Sequence, residues 1–355
     1  MASKPPTAAA KLRDNGVESL RGLLILCVVL GHLPLSLILA GRETGTAAAI
    51  WAWSPPVYAF HIPAFLALSC LFVPAWDWRW MGKRALLLLV PYLLWLARPS
   101  FFFDPVGDLR RLYEAQKALP YGNWAWDHSI LWFLPALLAC NAVVAGLARL
   151  SKPWAWALAL LGAALIRWQM ETVVAWHVAG KVPYSLDVAV YFAPLFLAAR
   201  ELYDRRNWTL GRPWWFWAAV FAAGVALIQL FEPVKTHTVF HWRVDLAQFS
   251  VPVTVAGILG CAAAVLGLLA AFAGRQGLAW MAWLGKRSLP IYLMHYYFLT
   301  VGWEALKARP AWIESEAALA LAPILMIAVA VLAPCAISWA ARRLSPYARY
   351  AGMEA

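Results

Sequence analysis

Residues 18–32 read ESLRGLLILCVVLGH: Glu18, then Arg21, an unbroken run of apolar and glycine residues, and His32. An arginine near the centre of a membrane-spanning helix costs at least ~2.5 kcal/mol on insertion scales. An ionisable residue kept in such a span is therefore a functional candidate. On an α-helix the two side chains stand roughly 16 Å apart along the axis. The spacing puts a cation near one membrane face and an imidazole about halfway across. Glu18, one turn before Arg21, lies on the same helix face and can orient it.

Composition agrees with that reading. The chain is 63% apolar and 14% charged over 355 residues, with a mean hydropathy of +0.64. Soluble domains are nearer half apolar and a quarter charged. The composition predicts an all-α polytopic membrane protein. Of the 23 Trp, many fall near span ends (Trp51, Trp53, Trp76, Trp78, Trp80, Trp214, Trp215), as interfacial anchoring requires. All five cysteines lie in apolar runs without C-x-x-C spacing, so neither a disulfide framework nor a zinc site is expected.

A span needs about 20 apolar residues to cross a core of about 30 Å. Runs at 19–40, 50–73, 85–103, 130–148, 154–176, 182–199, 213–231, 247–273, 288–303 and 318–341 meet that description, which predicts a bundle of about ten helices. With the N-terminus inside, most of the 30 Lys and Arg collect on the cytoplasmic side and most acids on the outer side. That bias sets orientation, so both termini are expected in the cytoplasm. The net charge of +12 is then chiefly an orientation signal, and no nucleic acid is expected. The expected division is a disordered cytoplasmic N-terminus over 1–15, a transmembrane domain over 16–345 and a cytoplasmic tail over 346–355. The expected location is a bacterial-type cytoplasmic (inner) membrane.

Clustered Lys and Arg suit a polyphosphate ligand, Arg by bidentate contacts and Lys as a point charge. Three groups converge on the inner face: Arg21; Arg79, Lys83 and Arg84; and Lys286 with Arg287. Within the spans lie His32, His61 and His295. A neutral imidazole can take a proton from a hydroxyl and return one to a leaving group. His237, His241 and Asp245 have helical spacing but lack the glutamate of a zinc-protease motif, so no metal is expected. No Gly-rich phosphate loop or G-x-S-x-G elbow occurs, and neither Ser69 nor Ser288 has a base beside it in sequence.

Five stretches in order resemble a known family. Glu18-Ser19-Leu20-Arg21-Gly22 followed by His32 is similar to its acidic-x-x-Arg-Gly…His first helix. Phe60-His61-Ile62-Pro63-Ala64-Phe65 through Ser69 is similar to its second, and Lys83-Arg84 through Pro91-Tyr92 to its basic run ahead of a Pro-Tyr helix. Leu131-Trp132-Phe133-Leu134-Pro135-Ala136-Leu137 and Ser288 through Ile291-Tyr292 to His295 complete the likeness. The family is the acyltransferase-three group of integral-membrane O-acyltransferases, in particular its sugar O-acetylase branch, which is fucose 4-O-acetylase-like. Two positions depart from its pattern: Cys70 follows Ser69 where glycine is common, and Leu87 stands where a second arginine is expected.

The resemblance implies transfer of an acetyl group from cytoplasmic acetyl-CoA, a co-substrate rather than a resident cofactor, to a sugar hydroxyl. The carbohydrate acceptor would be a surface or exported polysaccharide or its lipid-linked precursor. It implies His32 as general base with Arg21 and Glu18 in the catalytic set. Arg21, Arg79, Lys83 and Arg84 would hold CoA, and His61, His128, Trp132, Tyr292 and His295 would line the acceptor side. A transporter or flippase for a polar or lipid-linked solute is the competing class, since intramembrane His and Arg occur there too.

Overall fold

The computed structural model describes residues 14–39, 57, 60–96, 131–169, 172–173, 182–231, 251–309 and 316–353. Among these the chain is helical throughout, with no strand. Asp14 caps the first helix, α1 (Asn15–Leu39), accepting the backbone N–H of Gly16 at 2.9 Å and of Val17 at 3.2 Å. Its other carboxylate oxygen accepts the Tyr203 hydroxyl at 3.1 Å and the Gly274 N–H at 2.8 Å. One acidic side chain thus starts α1 and ties it to two distant segments. The helix begins at the last residue of the stretch expected to be disordered.

The elements after α1 are α2 (His61–Cys70), α3 (Trp78–Leu96), α4 (Phe133–Leu147) and α5 (Lys152–Trp168). A 3-10 turn leads into α6 (Leu186–Tyr191), followed by α7 (Ala193–Asp204), α8 (Arg206–Leu210) and α9 (Trp214–Phe231). Then come α10 (Val251–Phe272), α11 (Ala279–Gly285), α12 (Ser288–Lys307) and α13 (Glu316–Leu344), closed by a 3-10 segment, Pro346–Ala351. Over its described residues, each expected apolar run overlaps a helix. The run 182–199 divides into α6 and α7 at Phe192, which leaves helical geometry (φ −90°, ψ 2°). The short helices α8 and α11 lie between the expected runs. Among the described residues, three stretches are long and apolar enough to cross a membrane: Asn15–Leu33, Val255–Phe272 and Leu321–Leu344. His61–Cys70, Phe133–Leu147 and Trp214–Leu230 are shorter apolar helices.

α1 is the central element, packed on α2, α10, α11, α12 and α13. Its buried side chains Leu20, Leu24, Ile25 and Val28 recur at helical spacing. Encirclement explains how polar residues persist in so apolar a helix: they meet protein rather than lipid. The approach to α11 is backbone on backbone. A Cβ on Gly285 would overlap the Glu18 carbonyl oxygen, and one on Gly22 the Met281 carbonyl oxygen, so only glycine fits at either position. Gly277, just before α11, has φ +65° and lies against Ser19. The Ser19 hydroxyl donates to the Leu278 carbonyl and accepts the Leu278 N–H, both at 3.1 Å.

The outer helices turn apolar faces away from the bundle. On α13, Leu321, Ile324, Leu325, Val329 and Leu332 are exposed at i, i+3/i+4 spacing, a face suited to hydrocarbon rather than water. Trp78, Trp214 and Trp215 are exposed near helix starts, as anchoring predicts, whereas Trp51 and Trp53 lie outside the described residues. Arg212, Arg287 and Arg343 each stack on the tryptophan four residues earlier, Trp208, Trp283 and Trp339, at 4.0, 4.2 and 4.0 Å from the ring centroid.

Candidate functional site

At the α1 N-terminus the Arg21 guanidinium Nη1 donates to both carboxylate oxygens of Glu18, at 3.1 and 3.0 Å. Glu18 is buried, 6% exposed, so the pair is shielded and Arg21 has a fixed direction. That direction matters because Arg21 lines a cavity of about 580 Å³. Four more cations share its wall: Arg84 from α3, Lys286 from between α11 and α12, Arg342 from α13 and Arg349 from the terminal 3-10 segment. Among the described residues, no carboxylate is in the wall. Five cations line one void, and even with Arg21 paired to Glu18 their convergence favours a polyanionic occupant.

Away from the cations the wall is apolar or lightly polar. Val28, Phe65, Leu88, Phe133 and Leu134 contribute, with the hydroxyl-bearing Ser69 and Tyr292. A ligand with an anionic end and an extended, weakly polar body matches such a gradient.

Arg84 is held from behind. Its Nε–H donates to Asn141 Oδ1 at 2.9 Å, and the Asn141 amide donates to Ser69 Oγ at 3.3 Å. Ser69 in turn donates to the Leu66 carbonyl at 2.7 Å. Asn141 is fully buried on α4, so this chain couples α2, α3 and α4 in a low-dielectric setting where such bonds are strong.

The terminal segment is built into the bundle. Trp95 on α3 donates its indole N–H to the Ala351 carbonyl at 3.2 Å, and Met353 is buried. Residues 346–353, expected to be a tail, therefore fold against α3 and α13 and bring Arg349 to the cavity.

His32 lies one turn beyond the cavity-lining Val28. Its Nδ1 is 2.9 Å from the Val28 carbonyl oxygen and 3.1 Å from Nε2 of His295 on α12. The two rings are tilted at 51° with centroids 5.0 Å apart, and the Tyr296 ring stands edge-on to His32 at 5.9 Å. His295 is fully buried, while His32 is partly accessible. The Nδ1 of His295 faces the carbonyl oxygens of Ile291 at 3.1 Å and Tyr292 at 2.7 Å. Tyr292, one turn earlier, shows its ring to the cavity and lies 6.1 Å from the His295 ring.

The residues singled out from sequence thus separate into groups. Arg21 and Arg84 share the cavity with Tyr292, and His32 and His295 meet beyond it. Arg79 and Lys83 are exposed and are not part of the wall. His61 is buried with Nδ1 2.7 Å from the Val57 carbonyl oxygen, and Trp132 packs edge-on to Phe133 at 5.9 Å; neither is in the wall. His128 and the His237, His241, Asp245 set lie outside the described residues. Among those described, no group of three or more His, Cys, Asp or Glu is placed to hold a metal ion.

Sequence reasoning passed over Asn141, Arg342 and Arg349. Asn141 carried a usable signal, a polar residue within an apolar run. Arg342 and Arg349 carried none beyond charge orientation.

Comparison with known proteins fits this arrangement. The sequence model of the family described as "Acyltransferase domain" matches residues 14–343. Nodulation protein NolL of Sinorhizobium fredii (strain NBRC 101917 / NGR234) is 33% identical over 147 residues, which cover 38% of this chain and 36% of that protein. NolL of Mesorhizobium japonicum is 33% identical over 95 residues, covering 25% of this chain and 24% of its own length. The matches span about a third or less of these curated relatives. No solved structure matches the chain. By the extent of the family match, the chain belongs to the acyltransferase-three domain family.

Proposed function

With that family membership as premise, we propose that the chain transfers an acetyl group from cytoplasmic acetyl-CoA to a sugar hydroxyl. The acceptor is a cell-surface or exported polysaccharide or its lipid-linked precursor. The observation that carries the reading is the cavity in which Arg21, Arg84, Lys286, Arg342 and Arg349 converge, with an apolar wall leading along α1 toward His32. Coenzyme A has that polarity, phosphates at one end and an extended pantetheine arm at the other. The roughly 16 Å rise between Arg21 and His32 is a length such an arm covers.

In this reading the cations hold the phosphates and His32 acts as general base. As the acceptor oxygen attacks the thioester carbonyl, its proton passes to His32. The new C–O bond forms, the C–S bond breaks, and the proton returns to the departing sulfur. Arg79 and Lys83 can only draw the donor toward the opening from outside it. The topology that serves the reaction has ten spans with both termini in the cytoplasm of a bacterial-type inner membrane, so the cation-lined end of the cavity faces the donor pool.

The test is ester-linked acetate on the host's surface polysaccharide after deletion of the gene. The gene is then restored as wild type or as His32→Ala at matched membrane levels. Acetate lost on deletion and regained only with wild type is the expected result. Full recovery with His32→Ala removes the base assignment but leaves the transferase. Unchanged acetate on deletion removes the acceptor. Movement of a solute without any new ester would place the chain among transporters.

A further inference from the structure

We infer that His295 is a positioning residue: it fixes His32 in the tautomer whose Nε2 carries the lone pair. The inference rests on the proposed role of His32 as base and adds the reason one nitrogen of that ring, rather than the other, takes the proton.

Nδ1 of His295 faces two backbone carbonyl oxygens, Ile291 at 3.1 Å and Tyr292 at 2.7 Å. A carbonyl oxygen accepts and never donates, so this Nδ1 bears the hydrogen. In a neutral ring the other nitrogen is then an acceptor. That nitrogen, Nε2, lies 3.1 Å from His32 Nδ1, which also faces the Val28 carbonyl oxygen at 2.9 Å. Two acceptors at one nitrogen require His32 Nδ1 to carry its hydrogen, leaving the lone pair on Nε2.

The Val28 carbonyl stands at the i−4 position of His32, where an α-helix already uses it to accept the backbone N–H. A shared oxygen is a weak constraint on ring rotation. His295 supplies a second acceptor from a different helix; it is fully buried, and its own Nδ1 meets two carbonyl oxygens rather than one. The arrangement matches, with a neutral partner, the orienting hydrogen bond that a carboxylate gives a catalytic histidine. A neutral imidazole suits this interior because a carboxylate there would carry a desolvation penalty of several kcal/mol.

The same geometry bears on the transfer step. When His32 Nε2 accepts the proton of the acceptor hydroxyl, the ring becomes an imidazolium whose Nδ1–H still points at the His295 lone pair. That bond becomes charge-assisted and stronger. When the proton passes from Nε2 to the thiolate sulfur, both rings return to their starting tautomers. No proton is gained or lost by His295 in the cycle.

The experiment uses the full chain in lipid nanodiscs with 15N-labelled histidine, the His32 signals being identified by their loss in His32→Gln. Wild type is expected to show a protonated Nδ1 and an unprotonated Nε2 at His32. His295→Phe, which keeps a ring but no acceptor, is expected to give mixed tautomers. His295→Gln, whose amide oxygen reaches the former Nε2 position, is expected to restore the single form. Turnover is read in membranes containing the endogenous acceptor, supplied with radiolabelled acetyl-CoA. His295→Phe should lower kcat about 10- to 100-fold, as loss of an orienting partner does, with KM for acetyl-CoA unchanged, and His295→Gln should recover most of it.

A wild-type His32 protonated at Nε2 overturns the inference. So does a His295→Phe protein that keeps either the single tautomer or full kcat, because His295 would then only tie α12 to α1. Activity retained by His32→Gln is a separate outcome, since it removes the base role on which the inference rests.

Discussion

Replacing Asn141 with leucine tests whether the backing of Arg84 sets donor affinity. The substitution nearly conserves volume inside α4 but deletes the acceptor that Arg84 Nε meets at 2.9 Å and the donor that Ser69 Oγ meets at 3.3 Å. A hydrogen bond to a charged group is worth about 1.5–3 kcal/mol. Each ~1.4 kcal/mol is a factor of ten in an equilibrium constant. If the bond holds Arg84 in its phosphate-binding direction, Asn141→Leu should raise the Kd for CoA by about 10- to 100-fold. Arg84→Ala in the same background should then add little, because the two residues act as one unit. The assay is calorimetric titration of CoA into the protein in nanodiscs, with thermal unfolding run in parallel to show that the bundle survives. An unchanged Kd in a folded Asn141→Leu protein refutes the reasoning, as does full additivity with Arg84→Ala.

Arg349→Ala, which leaves the Trp95–Ala351 hydrogen bond in place, should weaken CoA binding about tenfold, and equal affinity would take the terminal segment out of the site. Gly285→Ala should push α11 off α1 by on the order of 1 Å, since the new methyl overlaps the Glu18 carbonyl oxygen, and cut turnover about 10²-fold. Wild-type turnover at normal membrane levels would refute that. Burial, joined by the neighbouring Asp14 carboxylate, raises the Tyr203 phenol to about 12. A folded-state value above the usual ~10 means this contribution to stability is complete below pH ~10 and fades as pH climbs toward 12. Thermal unfolding of wild type should therefore lose ground to Tyr203→Phe over that alkaline range, and parallel curves would show that the Asp14–Tyr203 bond does not contribute.

Hydropathy and spacing along the chain determined the helical, membrane-embedded class of this protein, and over their described residues the expected apolar runs are helical, the run 182–199 as two helices rather than one. Arg21, Glu18 and His32 were legible for the same reason: they share one helix, where rise per residue fixes separation and facing. Tertiary structure alone decided what those residues meet. His32 finds His295 across 263 positions of sequence, and Arg21 finds Arg342 and Arg349 from the far end of the chain. It likewise left Arg79 and Lys83 outside the wall although they neighbour Arg84 in sequence. Periodicity reports which face of a helix is apolar, but not which other helix covers that face. That choice depends on close approaches such as Gly22 and Gly285 allow between α1 and α11, which bring distant backbones together. The identity of the helix and its polar residues is a local property; the convergence of charge into one cavity is a property of packing.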